Sequence, residues 1–428
     1  MNKIKTISCI LILSSILWAK TLDIKSILLT VINDNNIEIQ NKMISDLKSS
    51  SKYIPYIDEV ELRINSAEPF SKTENLFQRQ KYALRISPNG FGESVAAKKV
   101  ISSTMEYHVH RKEKLLNSLL KDRYLLVIEM LFNYSLLNRN LEMKELLEDR
   151  ISVLEKMINT ENFDFSDIVK AETDYSKLQL DIIELQNLIH YFEVQINTIL
   201  PYTDSVEIDT SNIIDVATLK RELQRSIIKL DSNNIYLKDC LLKFKTAQNL
   251  FQFETKTKRK VISFLEFELD ADKLAEEKRD NAPEYNKALS FGFGISIPIL
   301  NSDRIDVNRK LLKMLDDNVD YINEKKNLED SARMLQEEIN ALIEQYEFLT
   351  ERSEMIKTES FLGKYAMVDG ENPLILLKIR QSIIRNGELM DEVKYKIYKK
   401  YIQMMDITGK LSEYPLRNFL SKNREIIQ

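Results

Sequence analysis

Few side chains in this 428-residue sequence have the types and spacing that catalysis or metal binding requires. His108 and His110 are two positions apart, and residues at that spacing do not share a helix face, so they make a poor pair of metal ligands. Gly292 and Gly294 lie in an alternating apolar segment that lacks the Lys–Ser pair of a phosphate-binding loop. The sequence therefore predicts no enzyme, no cofactor site and no metal site.

Acidic residues gather at two predicted turns between long helices. The turn residues of interest are Glu161, Asn162, Asp164 and Asp167 in one turn, and Asp369, Gly370 and Glu371 in the other. If several copies of the chain bring these turns together, rings of carboxylates would favour cations and form a gate. Alternatively, Asp164 and Asp167 only cap the following helix and interact with its dipole. The sequence leaves both interpretations open.

Residues 289–299 alternate between large apolar residues and small, polar or proline residues without interruption. This period of two predicts a β-strand with two different faces. Little else in the chain is typical of strand, so the apolar face has no obvious soluble core to cover it. An apolar outer face is what a membrane β-barrel presents to lipid. The residues predicted to face lipid are Leu289, Phe291, Phe293, Ile295 and Ile297.

Shorter alternating segments predict further strands within residues 54–65, 81–87 and 261–269. With residues 288–299 they form two hairpins, at 54–87 and 261–299, each with a long polar loop. Because a charged side chain on a lipid face is costly, we expect the charged residues of these strands to face a lumen. The lumen candidates are Glu61, Arg63, Arg85, Glu266 and Glu268.

The composition indicates a mainly helical, exported protein. Only 8 Gly and 8 Pro occur beside 30% charged residues, and a net charge of −5 without a basic block argues against nucleic acid as a partner. Lys3 and Lys5 precede a short apolar run, so residues 1–19 are predicted to be a signal peptide. Its removal leaves Cys240 as the single cysteine and excludes an internal disulfide. No later apolar run is long enough to predict a transmembrane helix.

The remaining chain divides into two predicted structural repeats, 20–215 and 216–428. In the first, hairpin 54–87 precedes a long helix at 93–157 and a returning helix at 168–200. The second begins with a helix at about 219–255. It continues with hairpin 261–299, a long helix at 303–360, a returning helix at 374–408 and a tail at 409–428. Pro88 and Pro298 correspond at an offset of 210 positions. A repeat of this length predicts a duplicated architecture.

The second long helix carries a heptad seam, whose members are Leu328, Ala332, Leu335, Ile339, Leu342, Tyr346 and Leu349. That spacing predicts a left-handed coiled coil. Two hairpins supply only four strands, and an open sheet edge in lipid would leave backbone groups unpaired. Closure of a membrane barrel takes about eight or more strands, so we expect the chain to assemble with copies of itself.

Three features together resemble the TolC-like family of outer-membrane efflux channels. They are the duplicated hairpin–helix plan, the segment SFGFGISIPILNS that leads into a long helix, and residues 370–411. The resemblance implies a mainly α fold with a membrane β-barrel. Each chain would contribute long antiparallel coiled-coil helices to an α-barrel and two β-hairpins to a trimeric, twelve-stranded barrel, with residues 202–215 and the tail in an equatorial belt.

The same resemblance implies a homotrimer that contacts outer-membrane lipid and has a long periplasmic extension. It would serve passive export in a tripartite efflux pump or type I secretion system, with a periplasmic adaptor protein and an inner-membrane transporter as partners. Two other functions remain open. A periplasmic adaptor also has a long helical hairpin but needs a compact β-rich domain. A coiled-coil structural protein without a pore would keep the helices and would not enter the membrane.

Overall fold

The structure is a computed structural model that describes residues 21–53, 56–67, 79–158, 163–200, 207–225, 233–258, 260–270, 289–296, 304–357 and 373–428. In chain order the first elements are β1 (Thr21–Leu22), α1 (Ile24–Leu29), α2 (Asn35–Ser50), β2 (Ile57–Ala67), β3 (Arg79–Pro88), α3 (Glu93–Met157) and α4 (Phe165–Ile199). The others are β4 (Glu207–Ile208), α5 (Val216–Arg225), α6 (Ile235–Thr257), β5 (Ile262–Asp270), β6 (Leu289–Ile295), α7 (Arg304–Lys357) and α8 (Pro373–Ile407).

The chain folds into two compact units. The first is drawn from Met1–Ile37, Glu113–Asn234 and Asn327–Gln428, and the second from Glu38–Lys112 and Ile235–Lys326. Each unit therefore combines segments from both halves of the sequence. Within the described ranges, none of the helices combines the length and the apolar character that crossing a bilayer demands.

The second unit contains a four-stranded antiparallel sheet in the order β2-β3-β5-β6. The two hairpins are joined by the pairing of β3 with β5, which runs from Lys81 opposite Asp270 to Ile86 opposite Leu265. Register shifts occur near one end of the outer pairings, between Ile57 and Glu59 and between Ile262 and Phe264. Alternating β-branched, aromatic and charged residues favour these strands, because each residue type then lies on a single face.

Helix α3 begins immediately after strand β3, at a glycine-rich turn. The backbone N–H of Gly90 donates to Glu93 Oε2 at 2.6 Å, so a side chain of the first helical turn holds the chain that precedes it. Gly92 has a φ of +77°, a conformation that glycine adopts without strain. Helix α6 contacts the start of α3 through Thr257 Oγ1 and Glu93 Oε1 at 3.1 Å.

The first unit contains four long helical segments, which pack around a large hydrophobic core and a second, smaller apolar cluster. Side-chain hydrogen bonds join α3 to α4 (Tyr134 to Glu193, 2.8 Å) and α3 to α8 (Ser135 to Asp391, 2.8 Å). An ion pair between Lys400 and Glu338 at 2.7 Å joins α8 to α7. These contacts order the helices α4-α3-α8-α7, with α4 and α7 outermost. Apolar residues at helical spacing favour this packing, because each helix places one apolar stripe in the core.

The C-terminal tail belongs to the large hydrophobic core, to which it contributes Leu411, Leu416, Phe419 and Leu420. Gly409 follows α8 at φ +73°, a left-handed conformation that commonly ends helices. The buried phenol of Tyr124 donates to the carbonyl of Arg417 at 2.9 Å and accepts from the N–H of Phe419 at 3.0 Å. Strand β1 pairs in parallel with β4, which also belongs to this unit.

The predicted coiled-coil seam lies in the core of the first unit. Leu328, Ala332, Leu335 and Ile339 of α7 are buried, and the remaining three members pack against the core as partly buried residues. A single helix at about 219–255 is wrong, because the segment forms α5 and α6 as separate helices. Asn234 lies between them, and its side chain donates to the carbonyl of Ile407 at 2.8 Å. Asparagine favours such breaks because its amide competes for backbone partners.

The fold is mainly helical with a small antiparallel sheet, which agrees with the predicted class. One chain supplies four strands, so a twelve-stranded barrel stays a prediction. The division into two structural repeats also stays a prediction. The predicted signal peptide lies outside the described residues.

Candidate functional site

One face of the four-stranded sheet is charged. The predicted lumen residues Glu61, Arg85 and Glu266 lie opposite one another on neighbouring strands, in a row that ends at Gly292. The next row contains Arg63, Ala83, Glu268 and Ser290. The structure therefore brings all five lumen candidates to one face of the sheet, as a period of two requires.

Ion pairs connect the strands on this charged face. Arg63 Nη2 lies 2.8 Å from Glu61 Oε2, and Arg63 Nη1 lies 3.9 Å from Glu266 Oε2. Lys81 Nζ lies 2.8 Å from Glu268 Oε1, an oxygen of the neighbouring strand. The side chains of these five residues keep between about a quarter and two fifths of their surface exposed, so water screens the pairs. They are suited to an aqueous surface.

The opposite face of the sheet is apolar and uncovered by the described residues of the chain. Its rows are Val60, Ile86, Leu265 and Phe293; Leu62, Leu84, Phe267 and Phe291; and Ile64, Tyr82, Leu269 and Leu289. Leu62, Leu289 and Phe293 each expose about two thirds of their surface. An apolar patch of this extent on a folded protein marks contact with lipid or with another protein. Four of the five predicted lipid-facing residues lie on this face, and Ile297 lies outside the described residues.

Two glycines on the charged face of β6 differ in the space around them. A Cβ at Gly292 would meet only Glu266, at an ordinary distance of 3.7 Å. A Cβ at Gly294 would overlap the Phe264 ring and the Ser263 hydroxyl. The Phe264 ring lies beneath the guanidinium of Arg85, whose Cζ is 3.7 Å from the ring centroid. Gly294 therefore makes room for a cation–π contact on the charged face.

The candidate turn residues fall partly outside the described residues, namely Glu161, Asn162, Asp369, Gly370 and Glu371. Asp164 and Asp167 are both exposed. Asp164 is the N-cap of α4, and its Oδ1 accepts from the N–H of Ser166 at 2.8 Å. Hydrogen bonds from Ser166, from its side chain and then its backbone, lower the pKa of the Asp164 carboxyl. Asp167 lies in the first turn, where its charge favours the helix dipole.

Helices α4 and α7 each carry a second apolar stripe that sequence reasoning missed. On α4, Leu180, Ile183, Tyr191 and Val194 are exposed, on the side of the helix away from its buried face. At ~100° per residue they lie about opposite Ile182, Leu185 and Ile189, which face the core. On α7, Leu312, Leu315, Val319 and Ile322 are exposed at spacings typical of a heptad seam. A search for two apolar periodicities in one helix would have found both stripes.

The histidines do not form a metal site. His108 Nδ1 lies 3.3 Å from Gln40 Oε1, and His110 Nε2 lies 2.7 Å from the carbonyl of Ile235. In the part of the chain that the structure describes, no group of three His, Cys, Asp or Glu residues could hold a metal ion.

No protein-family model matches the sequence, and no curated protein matches it either. Solved structures match at the level of the fold. The outer membrane channel CmeC of Campylobacter jejuni is 12% identical at a TM-score of 0.64, over 94% of this chain and 86% of that one. The outer-membrane channel OprN is 13% identical at a TM-score of 0.67, over 90% and 89%.

The open state of the outer membrane channel MtrE of Neisseria gonorrhoeae is 10% identical at a TM-score of 0.64, over 90% of this chain and 88% of that one. Identities this low establish the architecture and leave residue roles undetermined. Nearly the whole chain is nevertheless superposed on nearly the whole of each channel subunit. The predicted resemblance is confirmed at this level: the chain has the TolC-like fold of outer-membrane channels.

Proposed function

We propose that the chain is one subunit of a homotrimeric channel in the outer membrane. The observation that carries this proposal is the sheet with an uncovered apolar face and an ion-paired charged face. A soluble protein would bury the apolar face, and no described element covers it. In a membrane barrel, that face contacts lipid while the charged face lines an aqueous lumen.

The number of strands requires assembly. Strands β2 and β6 are the edges of the sheet, and their unpaired backbone groups would be costly in hydrocarbon. Three copies of a four-stranded sheet would close into twelve strands, in the size range of membrane barrels. The superposition on complete channel subunits supports this arrangement.

The helical part of the chain also needs neighbours. Helices α4 and α7 are outermost in the first unit. There α4 exposes its second apolar stripe, and α7 exposes Met334, Phe348 and Met355 besides the residues that pack in the core. A helix with apolar residues on opposite sides is typical of a wall one helix thick, in which each helix contacts two others. In a trimer, α4 of one copy would pack against α7 of the next. Such a wall would form the periplasmic α-barrel.

We assign the channel a passive role, as the exit duct of a tripartite efflux pump or type I secretion system. A periplasmic adaptor and an inner-membrane transporter would be its partners, and it would catalyse no reaction. Carboxylates at the helix-to-helix turns, Asp164 and Asp167 among them, are proposed to lie at the periplasmic end and to narrow it for cations. A periplasmic adaptor is less well supported, because the described sheets do not form a compact β-rich domain.

The experiment compares two substitutions on neighbouring residues of β6. Phe293→Arg places a charge on the apolar face and should cost about 2–4 kcal/mol per chain near the bilayer midplane, so little protein should reach the outer-membrane fraction. Gly292→Ser lies on the charged face, where a Cβ has space, and should be recovered like the unmodified protein. Equal membrane recovery of both variants would contradict the assignment of faces.

A further inference from the structure

A half-open cleft of about 480 Å³ lies in the first unit and includes no residue of the sheet or of the exposed stripes on α4 and α7. Helices α3 and α8, the middle pair of the four, form its walls, and the segment after β4 and the C-terminal tail close one side. Its lining residues are Ile128, Leu131, Phe132, Ser135, Thr210, Ile213, Ile214, Asp215, Asp391, Lys394, Tyr395, Tyr398 and Lys422. The volume is in the range of small-molecule sites.

The floor of the cleft is a surface of aromatic rings. The rings of Phe132 and Tyr395 stack with centroids 4.7 Å apart and an interplanar angle of 26°. The hydroxyl of Tyr395 donates to Glu129 Oε1 at 3.2 Å, and the buried hydroxyl of Tyr398 donates to the carbonyl of Ile214. Because these hydroxyls already have partners, the rings present only their apolar surfaces to the cleft. An occupant therefore needs a flat or elongated apolar body.

The acidic residues of the cleft are satisfied by the chain itself. Asp391 Oδ2 accepts from Ser135 Oγ at 2.8 Å and from Arg139 Nε at 3.2 Å. Asp215 Oδ1 accepts from the N–H of Thr218 at 2.6 Å, at the start of α5. Both carboxylates are therefore engaged in structural hydrogen bonds, and neither is oriented solely towards a ligand.

The two lysines of the cleft form no close ion pair with the carboxylates that the structure describes, although the charge of Lys422 acts on Asp215. Among the described residues, neither Lys394 Nζ nor Lys422 Nζ lies within 4 Å of a carboxylate oxygen. Lys394 Nζ lies over the face of the Tyr398 ring, 5.7 Å from its centroid, and Lys422 Nζ donates to the carbonyl of Ser211 at 3.2 Å. The cleft therefore combines an apolar floor with two positive charges that still have donors available.

We propose that this cleft binds a small amphipathic organic anion. Its apolar body would lie on the Phe132 and Tyr395 rings, and its carboxylate, sulfonate or phosphate group would accept from Lys394 and Lys422. Charge-assisted hydrogen bonds of this kind are stronger than neutral ones, so the anion would be preferred over neutral and cationic analogues. Because α3 and α8 are the middle helices, assembly through α4 and α7 would leave the cleft open. Anion binding would not require that assembly or a pore.

The test is isothermal titration of naphthalene-2-sulfonate into the purified full-length protein, with a blank titration into protein-free buffer or micelles. We expect saturable binding of one molecule per chain. The double variant Lys394→Gln/Lys422→Gln should weaken binding at least tenfold. The matched control Lys396→Gln/Lys410→Gln changes one lysine of α8 and one of the tail, neither of which lines the cleft, and should bind normally.

A second probe separates charge recognition from simple apolar adsorption. 2-(Aminomethyl)naphthalene has the same ring with a cationic group, and we expect no saturable binding of this compound. Amide hydrogen exchange should also slow in residues 210–215 when the sulfonate is bound, because this segment closes the cleft. Equal binding of both compounds, an unchanged double variant, or the absence of saturable binding would overturn the proposal.

Discussion

At the scale of single residues, the packing of side chains on the charged face of the sheet depends more on Gly294 than on Gly292. Gly294 provides the space for the Phe264 ring, on which the guanidinium of Arg85 lies. Gly292 provides no comparable space, because a Cβ there would make an ordinary contact. Both glycines belong to the same alternating pattern, so their spacing does not distinguish them.

We predict that Gly294→Ala destabilises the sheet, whereas Gly292→Ala has little effect. The added methyl group at residue 294 must displace the Phe264 ring and the Ser263 hydroxyl, and overpacking of this kind typically costs about 1–3 kcal/mol. The measurement is the midpoint of thermal unfolding of the assembled protein for both variants. Identical midpoints would mean that Phe264 can move without penalty.

Asp164 offers a way to separate a capping role from a charge role. Asparagine caps helices as well as aspartate does, so Asp164→Asn should retain the first turn of α4, and Asp164→Ala should loosen it. If the carboxylate also selects ions, the asparagine variant should lose part of the cation preference while α4 remains intact. Ion selectivity in a planar bilayer and hydrogen exchange at residues 165–168 report these two effects. An unchanged selectivity in the asparagine variant would leave capping as the only role.

The pH dependence of this cap has a defined sign. Because hydrogen bonds from Ser166 lower the folded-state pKa of Asp164, its stabilising effect is present above the ordinary pKa of an aspartate. The effect is lost as the pH falls through the lowered value. Protection of the first turn of α4 should therefore persist at mildly acidic pH and fall only below the usual range of aspartate titration. In Asp164→Ala the protection should be weaker and should lack this pH dependence.

At the scale of elements, the sequence predicts the strands and long helices closely. The predicted helix at 93–157 has the bounds of α3, and the predicted returning helix at 374–408 differs from α8 by one residue at each end. The faces of the strands were predictable because apolar residues alternate with polar or small residues along them. A shift of one residue would move the whole apolar set to the other face. The break between α5 and α6 was not predicted, because the polar residues there are also compatible with a solvent-exposed helix.

The second apolar stripes were also missed, for a physical reason. A helix that needs two partners spreads its apolar residues over opposite sides, so the amphipathic signal partly cancels. In α4 the apolar residues at 182, 183 and 185 alternate between the two sides, and the pattern resembles a uniformly buried helix. The stripe becomes visible only when burial separates the residues that the chain covers from those it leaves exposed.

We predict that Ile183→Glu disrupts assembly and that Gln186→Glu does not. Both residues are exposed on α4, but only Ile183 lies on the apolar stripe. An unpaired carboxylate buried at each subunit contact would cost at least about 2 kcal/mol. The fraction of assembled protein after dilution in detergent should fall for Ile183→Glu and match the unmodified protein for Gln186→Glu. Full assembly of the Ile183→Glu variant would exclude the exposed apolar stripe of α4 as an interface.

At the scale of the whole molecule, contacts between distant parts of the chain were beyond sequence reasoning. Tyr124 binds the tail across 295 positions, and Asn117 and Lys121 bind the buried Asp406 near the end of α8. Single polar residues at such separations leave no periodic signal. The need for assembly was predictable, because it follows from the number of strands and the properties of their faces.

The proposed pore requires several copies of one sheet. On the charged face, among side chains that the structure describes, five carboxylates accompany three basic groups: Glu59, Glu61, Glu266, Glu268 and Asp270 against Arg63, Lys81 and Arg85. Repetition by symmetry would make the lumen negative and favour cations.

The most direct measurement is the conductance of the purified protein in a planar lipid bilayer, after its size in detergent has been determined. We predict a trimer that inserts in discrete conductance steps, with a reversal potential displaced towards that of the cation under a salt gradient. A monomer that never enters the bilayer, or a trimer without conductance steps, would contradict the proposal that this chain forms a channel.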